Sequence, residues 1–298
     1  MFTSTNVIRK PNTDDESRVV KHIHAQPNQQ VKQQSLMNIS FRECLMNRSF
    51  IFGILALLTT PMATAAERPN ILIIFTDDQG YGDMGCYGST QHKTPRVDQL
   101  AVEGTRFTSF YSQTVCGPSR SALLTGRHPI RSKGWGMPAS EITFAETLRT
   151  AGYQTACIGK WDVSNRKPII DRMPNAQGFD YYFGTLGAND GGGVAFHKDN
   201  EKAGSTRDMG SLTTLYTDKA IDYLNNRRDP TKPFMLYVAH TMMHTIIDAS
   251  KRFRGKSEGD LYGDVVEEFD YESGRLLDTV DKLGLRDNTL VIYTSDNG

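Results

Sequence analysis

Two pairs of oxygen-bearing side chains, Asp77-Asp78 and Asp296-Asn297, each follow an apolar run, residues 70–76 and 289–294. If both runs are strands of one parallel sheet, their carboxyl ends share an edge, and the four side chains could share a site. Three carboxylates and an amide so placed repel one another unless a hard divalent cation sits among them. Calcium suits such all-oxygen ligation; magnesium suits it less, because it keeps more of its waters. Cys116 brings a different chemistry. Pro118 and Ser119 follow it and read as the first turn of a helix, where proline is favoured and free N–H groups attract anions. Arg120 adds a planar positive fork close by. A thiolate at position 116 is therefore expected to be stabilised and reactive.

The elements that must position these groups can be read from the hydrophobic pattern. Residues 70–76 are continuously apolar, as in a strand buried on both faces of a parallel sheet. Further strands are expected at 153–159, 234–239 and 289–294, and helices at 94–104, 118–126, 143–152, 214–228 and 261–283. Pro95 and Gly104 bracket the first of these helices, and Thr143 with Glu146 has capping-box spacing. Strands alternate with helices. That predicts an α/β fold with a mostly parallel, mixed central sheet and helices on both faces. The glycine-rich stretch 184–193, which holds Asn189 and Asp190, reads as an irregular loop at the site mouth. Gly191 to Gly193 and Phe196-His197 are expected to line the pocket.

The chain has 298 residues, 23% of them charged, and a formal net charge of zero. No basic surplus points to nucleic acid, and no acidic block points to a disordered tail. Residues 12–34 are polar without an apolar period, and residues 1–45 are expected to lie outside the fold, as a leader or an over-extended start before Met37 or Met46. Arg48, the apolar run 50–58 and Ala63-Thr64-Ala65-Ala66 have the layout of a secretory signal over residues 46–66. That run is too short to span a membrane. The remaining residues, 67–298, are expected to be exported, to the periplasm or beyond. Cys86, Cys116 and Cys157 in that part make no disulfide framework. Cys86 and Cys157 read as small core residues.

The run Val115-Cys116-Gly117-Pro118-Ser119-Arg120, continued by Leu124-Thr125-Gly126-Arg127, is similar to the signature of type I, formylglycine-dependent sulfatases, C-x-P-S-R followed by L-T-G-R. Gly152 through Gly159-Lys160-Trp161 resembles the second signature of that family. Residues 70–83 resemble its opening strand and metal loop, and residues 289–298 its S-D-N-G strand. The motifs occur in the family's order and cover residues 69–298; the paired C-P-S-R and L-T-G-R motif is specific where a lone C-x-P-x-R is not. The resemblance implies an alkaline-phosphatase-like fold and hydrolysis of sulfate esters, arylsulfatase-like in type. It implies that a separate maturation enzyme oxidises Cys116 to formylglycine, whose hydrate attacks sulfur. Asp77, Asp78, Asp296 and Asn297 would hold calcium, with the formylglycine at 116 as a further ligand. Arg120 would hold the nucleophile near the metal, and Lys160 would contact the sulfate. A histidine after the strand at 234–239 would serve the leaving group; His244 matches by spacing and His240 is the reserve.

Two departures bear on that picture. The family has a histidine directly after Gly-Lys-Trp, and this chain has Asp162. An aspartate could act as a base there, but it brings negative charge beside a sulfate. The family also has a sulfate-contacting lysine after the D-N-G loop and a smaller C-terminal sheet domain, so a piece ending at Gly298 is expected to show little activity. Rival functions are a phosphonate or phosphate ester hydrolase of the same superfamily, a non-catalytic anion-binding relative, and an enzyme using the Cys116 thiol directly. The expected substrate is a sulfated small molecule or polysaccharide.

Overall fold

A computed structural model describes residues 6–11 and 68–297. The expected signal at 46–66, with most of residues 1–45, lies outside the described residues. The central sheet has nine strands: β1 (Asn6–Arg9), β2 (Asn70–Thr76), β3 (Thr105–Arg106), β4 (Gln154–Lys160), β5 (Tyr181–Thr185), β6 (Val194–Lys198), β7 (Glu201–Thr206), β8 (Phe234–Ala239) and β9 (Thr289–Ser295). Their order across the sheet is β3-β1-β9-β2-β8-β4-β5-β6-β7. The five inner strands, β9 to β5, pair in parallel, and both margins are antiparallel. The structure is thus the mixed, mostly parallel sheet expected from the alternation of elements.

Register carries the site. Thr76 pairs with Ser295, Phe75 with Ala239, and Ala239 with Gly159. The carboxyl ends of β9, β2, β8 and β4 therefore line up, and whatever follows them emerges along one edge. Alternation within β2 explains why its apolar run is unbroken. Leu72 and Ile74 face one core, and Ile73 and Phe75 face the other.

Helices α1 (Pro95–Glu103), α2 (Cys116–Thr125), α3 (Pro129–Ser132), α4 (Phe144–Thr150), α5 (Leu212–Asp222) and α6 (Asp260–Lys282) cover the two faces. Helices α1, α5 and α6 supply Leu100, Tyr216 and Phe269 to one core, while α2 and α4 supply Leu124 and Ala145 to the other. The capping box at α4 forms as its spacing implies. Glu146 N–H donates to Thr143 Oγ1 at 3.2 Å, and Thr143 N–H donates to Glu146 Oε2 at 2.9 Å.

Three expectations need correction. Residues 1–45 were expected outside the fold, yet β1 runs antiparallel to β9 with Val7 buried. A four-residue strand is too short for a period to show, and it covers an edge of β9 that would otherwise leave backbone groups unpaired. The glycine-rich loop begins later than expected, because Gly184 lies in β5, where a Cβ would come 1.8 Å from Gly159 O. Phe196 and His197, expected to line the pocket, lie in a strand. They belong to the β6–β7 hairpin, where both are buried and Phe196 stacks on Phe183 at 5.5 Å.

Candidate active site

Four strand ends deliver the polar groups. Asp77 and Asp78 follow β2, Asp296 and Asn297 follow β9, Lys160 ends β4, and residues 240–244 follow β8. Helix α2 brings Cys116 to the same place. Its N-cap is Val115, so Cys116 is its first residue, two positions earlier than the sequence pattern suggested. One ligand atom each from Asp77, Cys116 and Asp296 lie within 4.8 Å of one another, all buried.

The charges at the centre are fully buried: Asp77, Asp296, Asp162, Arg120 and Lys160. Lys160 Nζ donates to Asp77 Oδ2 at 2.7 Å. Arg120 Nη2 donates to Asp296 Oδ2 at 2.8 Å and lies 3.3 Å from Asp77 Oδ1, while Nη1 donates to Lys160 O at 3.2 Å. The guanidinium also sits over the Phe75 ring, 5.1 Å from its centroid. Burial raises both carboxylates, but Lys160 and Arg120 outweigh it at Asp77 and hold that group below its ordinary value. Asp296 goes the other way. Burial and then the neighbouring Asp77 push it well above the carboxylate range, more than Arg120 offsets.

These donors fit a hard divalent cation. Asp77 Oδ1 accepts no hydrogen bond, and burial beside Asp77 raises the pKa of Asp296. A cation among the carboxylates would satisfy the first and lower the second. Asn297 is adjacent, its Nδ2 donating to Asp296 Oδ1 at 3.0 Å. Asp78 is placed differently from the expectation. Its backbone N–H donates to Asp296 Oδ1 at 3.1 Å, but its carboxylate lies outside the buried cluster, 3.8 Å from His244 Nε2. Its backbone is left-handed, φ 62°, which turns the side chain away from its neighbour's direction.

The thiol of Cys116 is not activated. Burial pushes it up to about 11, Lys160 lowers it, and Asp77, Asp162 and Asp296 raise it again. The helix start and Arg120 favour the thiolate expected from sequence, but three carboxylates also face the sulfur, and Arg120 is committed to two of them.

His244 lies at the mouth, its side chain 13% exposed. Nδ1 is 2.6 Å from Thr245 O, and a carbonyl can only accept, so Nδ1 carries the proton there. Nε2 points to Asp190 Oδ1 at 3.3 Å. Asn189 Nδ2 donates to the carbonyls of His244 and Ile246, tying the glycine-rich loop to this wall. His240, the reserve, is excluded from the site. It is buried with its ring edge-on to Phe269 and Tyr216, and desolvation lowers its pKa to about 3.

Asp162 is buried beside the site and pinned. Trp135 Nε1 donates to its Oδ2 at 3.0 Å, Arg166 Nε to its Oδ1 at 2.8 Å, and Lys160 Nζ is 3.7 Å away. Trp135 also packs on Gly117, where an added Cβ would come 2.4 Å from the indole. Neither Trp135, Arg166 nor Asp190 was assigned a role from sequence. The only hint was that Arg166 stands four residues after an aspartate expected beside an anion.

The sheet, the helix-borne cysteine and the carboxylate edge define an α/β fold with a buried cluster of charged groups at the carboxyl ends of its parallel strands. Residues 69–298 match the family model described as Sulfatase, and the chain belongs to the sulfatase family. It is 34% identical to N-acetylgalactosamine-6-sulfatase of Rattus norvegicus, over 84% of this chain and 54% of that protein. It is 35% identical to arylsulfatase A of Homo sapiens, over 78% and 52%. Among solved structures it resembles Ps i-CgsB in complex with k-i-k-neocarrahexaose, with TM-score 0.70 and 27% identity over 78% of this chain and 59% of that one. The chain spans about half the length of the curated relatives it matches.

Proposed function

We propose that this chain carries the nucleophile and metal site of a sulfuric ester hydrolase. The observation that supports this most is the buried meeting of Cys116, Asp77 and Asp296 at the carboxyl edge of the sheet, with Lys160 and Arg120 on the carboxylates. The reading includes calcium held by Asp77, Asp78, Asp296 and Asn297, and oxidation of Cys116 to formylglycine by a separate maturation enzyme. Calcium bound there would supply Lewis acidity to the sulfate oxygens. The raised thiol pKa speaks against the Cys116 thiol itself as the nucleophile, since an unactivated thiol is a poor one.

The chain's own residues divide the remaining work. Lys160 places positive charge where negative charge develops on oxygen in the transition state. Arg120 offsets Asp77 and Asp296 and fixes their orientation. His244, anchored through Nδ1, presents Nε2 as the atom that moves a proton at the leaving oxygen. The substrate class we propose is a sulfated saccharide, because the rat relative is an N-acetylgalactosamine-6-sulfatase and Ps i-CgsB is in complex with an oligosaccharide. Export, to the periplasm or outside the cell, follows from the signal pattern at 46–66.

The test is sulfate release by the full-length protein produced together with a formylglycine-generating enzyme, on aryl sulfate and on N-acetylgalactosamine 6-sulfate. Activity lost on Cys116→Ala and on calcium chelation supports the reading. A higher rate on an aryl phosphonate ester than on the sulfate would move the assignment to the rival hydrolase.

A further inference from the structure

Asp162 puts a second buried carboxylate at ion-pair distance from Lys160, its Oδ2 3.7 Å from Nζ and so short of a hydrogen bond. Lys160 is already paired with Asp77. If the Asp162 carboxylate closed on the ammonium as well, an incoming sulfate would meet a lysine flanked by two negative charges. Two donors stand against that closure. Trp135 Nε1 holds Oδ2 and Arg166 Nε holds Oδ1. Arg166 is itself fixed, because Nη1 donates to Asp190 Oδ2 at 2.7 Å while the other Asp190 oxygen faces His244.

The backbone bears the mark of this arrangement. Asp162, Asn165 and Arg166 all have left-handed φ values, 56°, 55° and 57°. For a residue such as arginine that conformation is disfavoured, and it persists where surroundings over-determine it. Here Asn165 N–H donates to Trp135 O at 2.7 Å, Met137 N–H donates to Val163 O at 3.1 Å, and Gly136 bridges to Ser164. Segments 135–137 and 162–166 are one braced unit whose product is the grip on Asp162.

We propose that Arg166 is a positioning residue for the sulfate contact: it holds Asp162 away from Lys160 and offsets its charge, so that the lysine stays available to the sulfate group. Asp162 is then a tethered anion and not a base. The proposal rests on the sulfate-ester reading above and explains how this chain tolerates an aspartate after Gly-Lys-Trp.

The test is the affinity of the calcium-loaded, full-length protein for inorganic sulfate, read by titration calorimetry, beside KM and kcat on 4-nitrophenyl sulfate. Arg166→Ala is expected to weaken sulfate binding about tenfold, equivalent to about 1.4 kcal/mol, and to raise KM more than it lowers kcat. Arg166→Lys restores part of the loss. The discriminating variant is Arg166→Ala combined with Asp162→Asn, which removes the charge left unmatched and should return sulfate affinity close to wild type. A collapsed site would not be repaired by a second substitution. Unchanged sulfate affinity in Arg166→Ala, or a double variant as weak as the single one, overturns the proposal. If the binding pattern holds in protein that hydrolyses no sulfate ester, the proposal stands and the catalytic reading falls.

Discussion

At the scale of single residues, the chemistry of Cys116 is set by what faces its sulfur. With a pKa of about 11, only about one thiol in a thousand is ionised at pH 8, against about a quarter for an unperturbed cysteine. Protein made without the maturation enzyme should therefore be alkylated by iodoacetamide at position 116 at least a hundredfold more slowly when folded than when unfolded. Peptide mapping over time measures this, and comparable rates in both states would restore the activated thiolate that the sequence suggested. The identity of the site residues was legible because they sit in short motifs at strand ends. Their pairing was not. The split between Asp77, whose pKa is lowered, and Asp296, whose pKa is raised, depends on which cation reaches which oxygen, and that is a property of three strands and a helix together.

At the scale of elements, the site depends on β4 and β8 keeping their register where they approach most closely. Gly159 has φ 105°, and a Cβ there would lie 1.8 Å from Ala239 O. Gly159→Ala adds both a forbidden backbone angle and a clash in a parallel ladder, so a loss of at least about 3 kcal/mol is expected. A thermal melt should show a drop of about 6–12 °C in Tm, and a change under 2 °C would mean that the ladder yields locally. The inner strands and the long helix α6 were readable from unbroken apolar runs and from 3.6-residue spacing. The β6–β7 hairpin was not, because Glu201–Thr206 is an exposed edge strand with no apolar alternation to betray it. The helix expected to reach Arg228 does run on, as α5 followed by a π-helical turn from Tyr223 to Arg227.

At the scale of the whole molecule, a buried neutral histidine ties stability to pH. His240 titrates near 3 when folded, against about 6.5 when unfolded. Below pH 6.5 the unfolded chain binds a proton that the folded chain refuses, so stability is present above that value and falls as pH drops, by up to about 1.4 kcal/mol per unit. His240→Leu should flatten the acid limb of a Tm-against-pH curve between pH 6.5 and 4 by about one proton. Superimposable slopes for the two proteins would show that His240 takes up its proton in the native state. The overall architecture was legible because five parallel strands demand cover on both faces, and the helices that give it carry their caps in sequence. What sequence could not convey is how the cover meets at the carboxyl edge, where Trp135 on one loop and Arg166 on another converge on Asp162.

All three scales meet in the group carried by α2 at position 116. The most direct measurement is the mass of the tryptic peptide spanning residues 107–120, taken from protein that releases sulfate from an aryl sulfate. The expected result is a peptide in which the Cys116 thiol is replaced by an aldehyde that reacts with a hydrazide reagent, in proportion to activity across preparations. An active preparation in which that peptide carries only an unmodified thiol would contradict the proposed function.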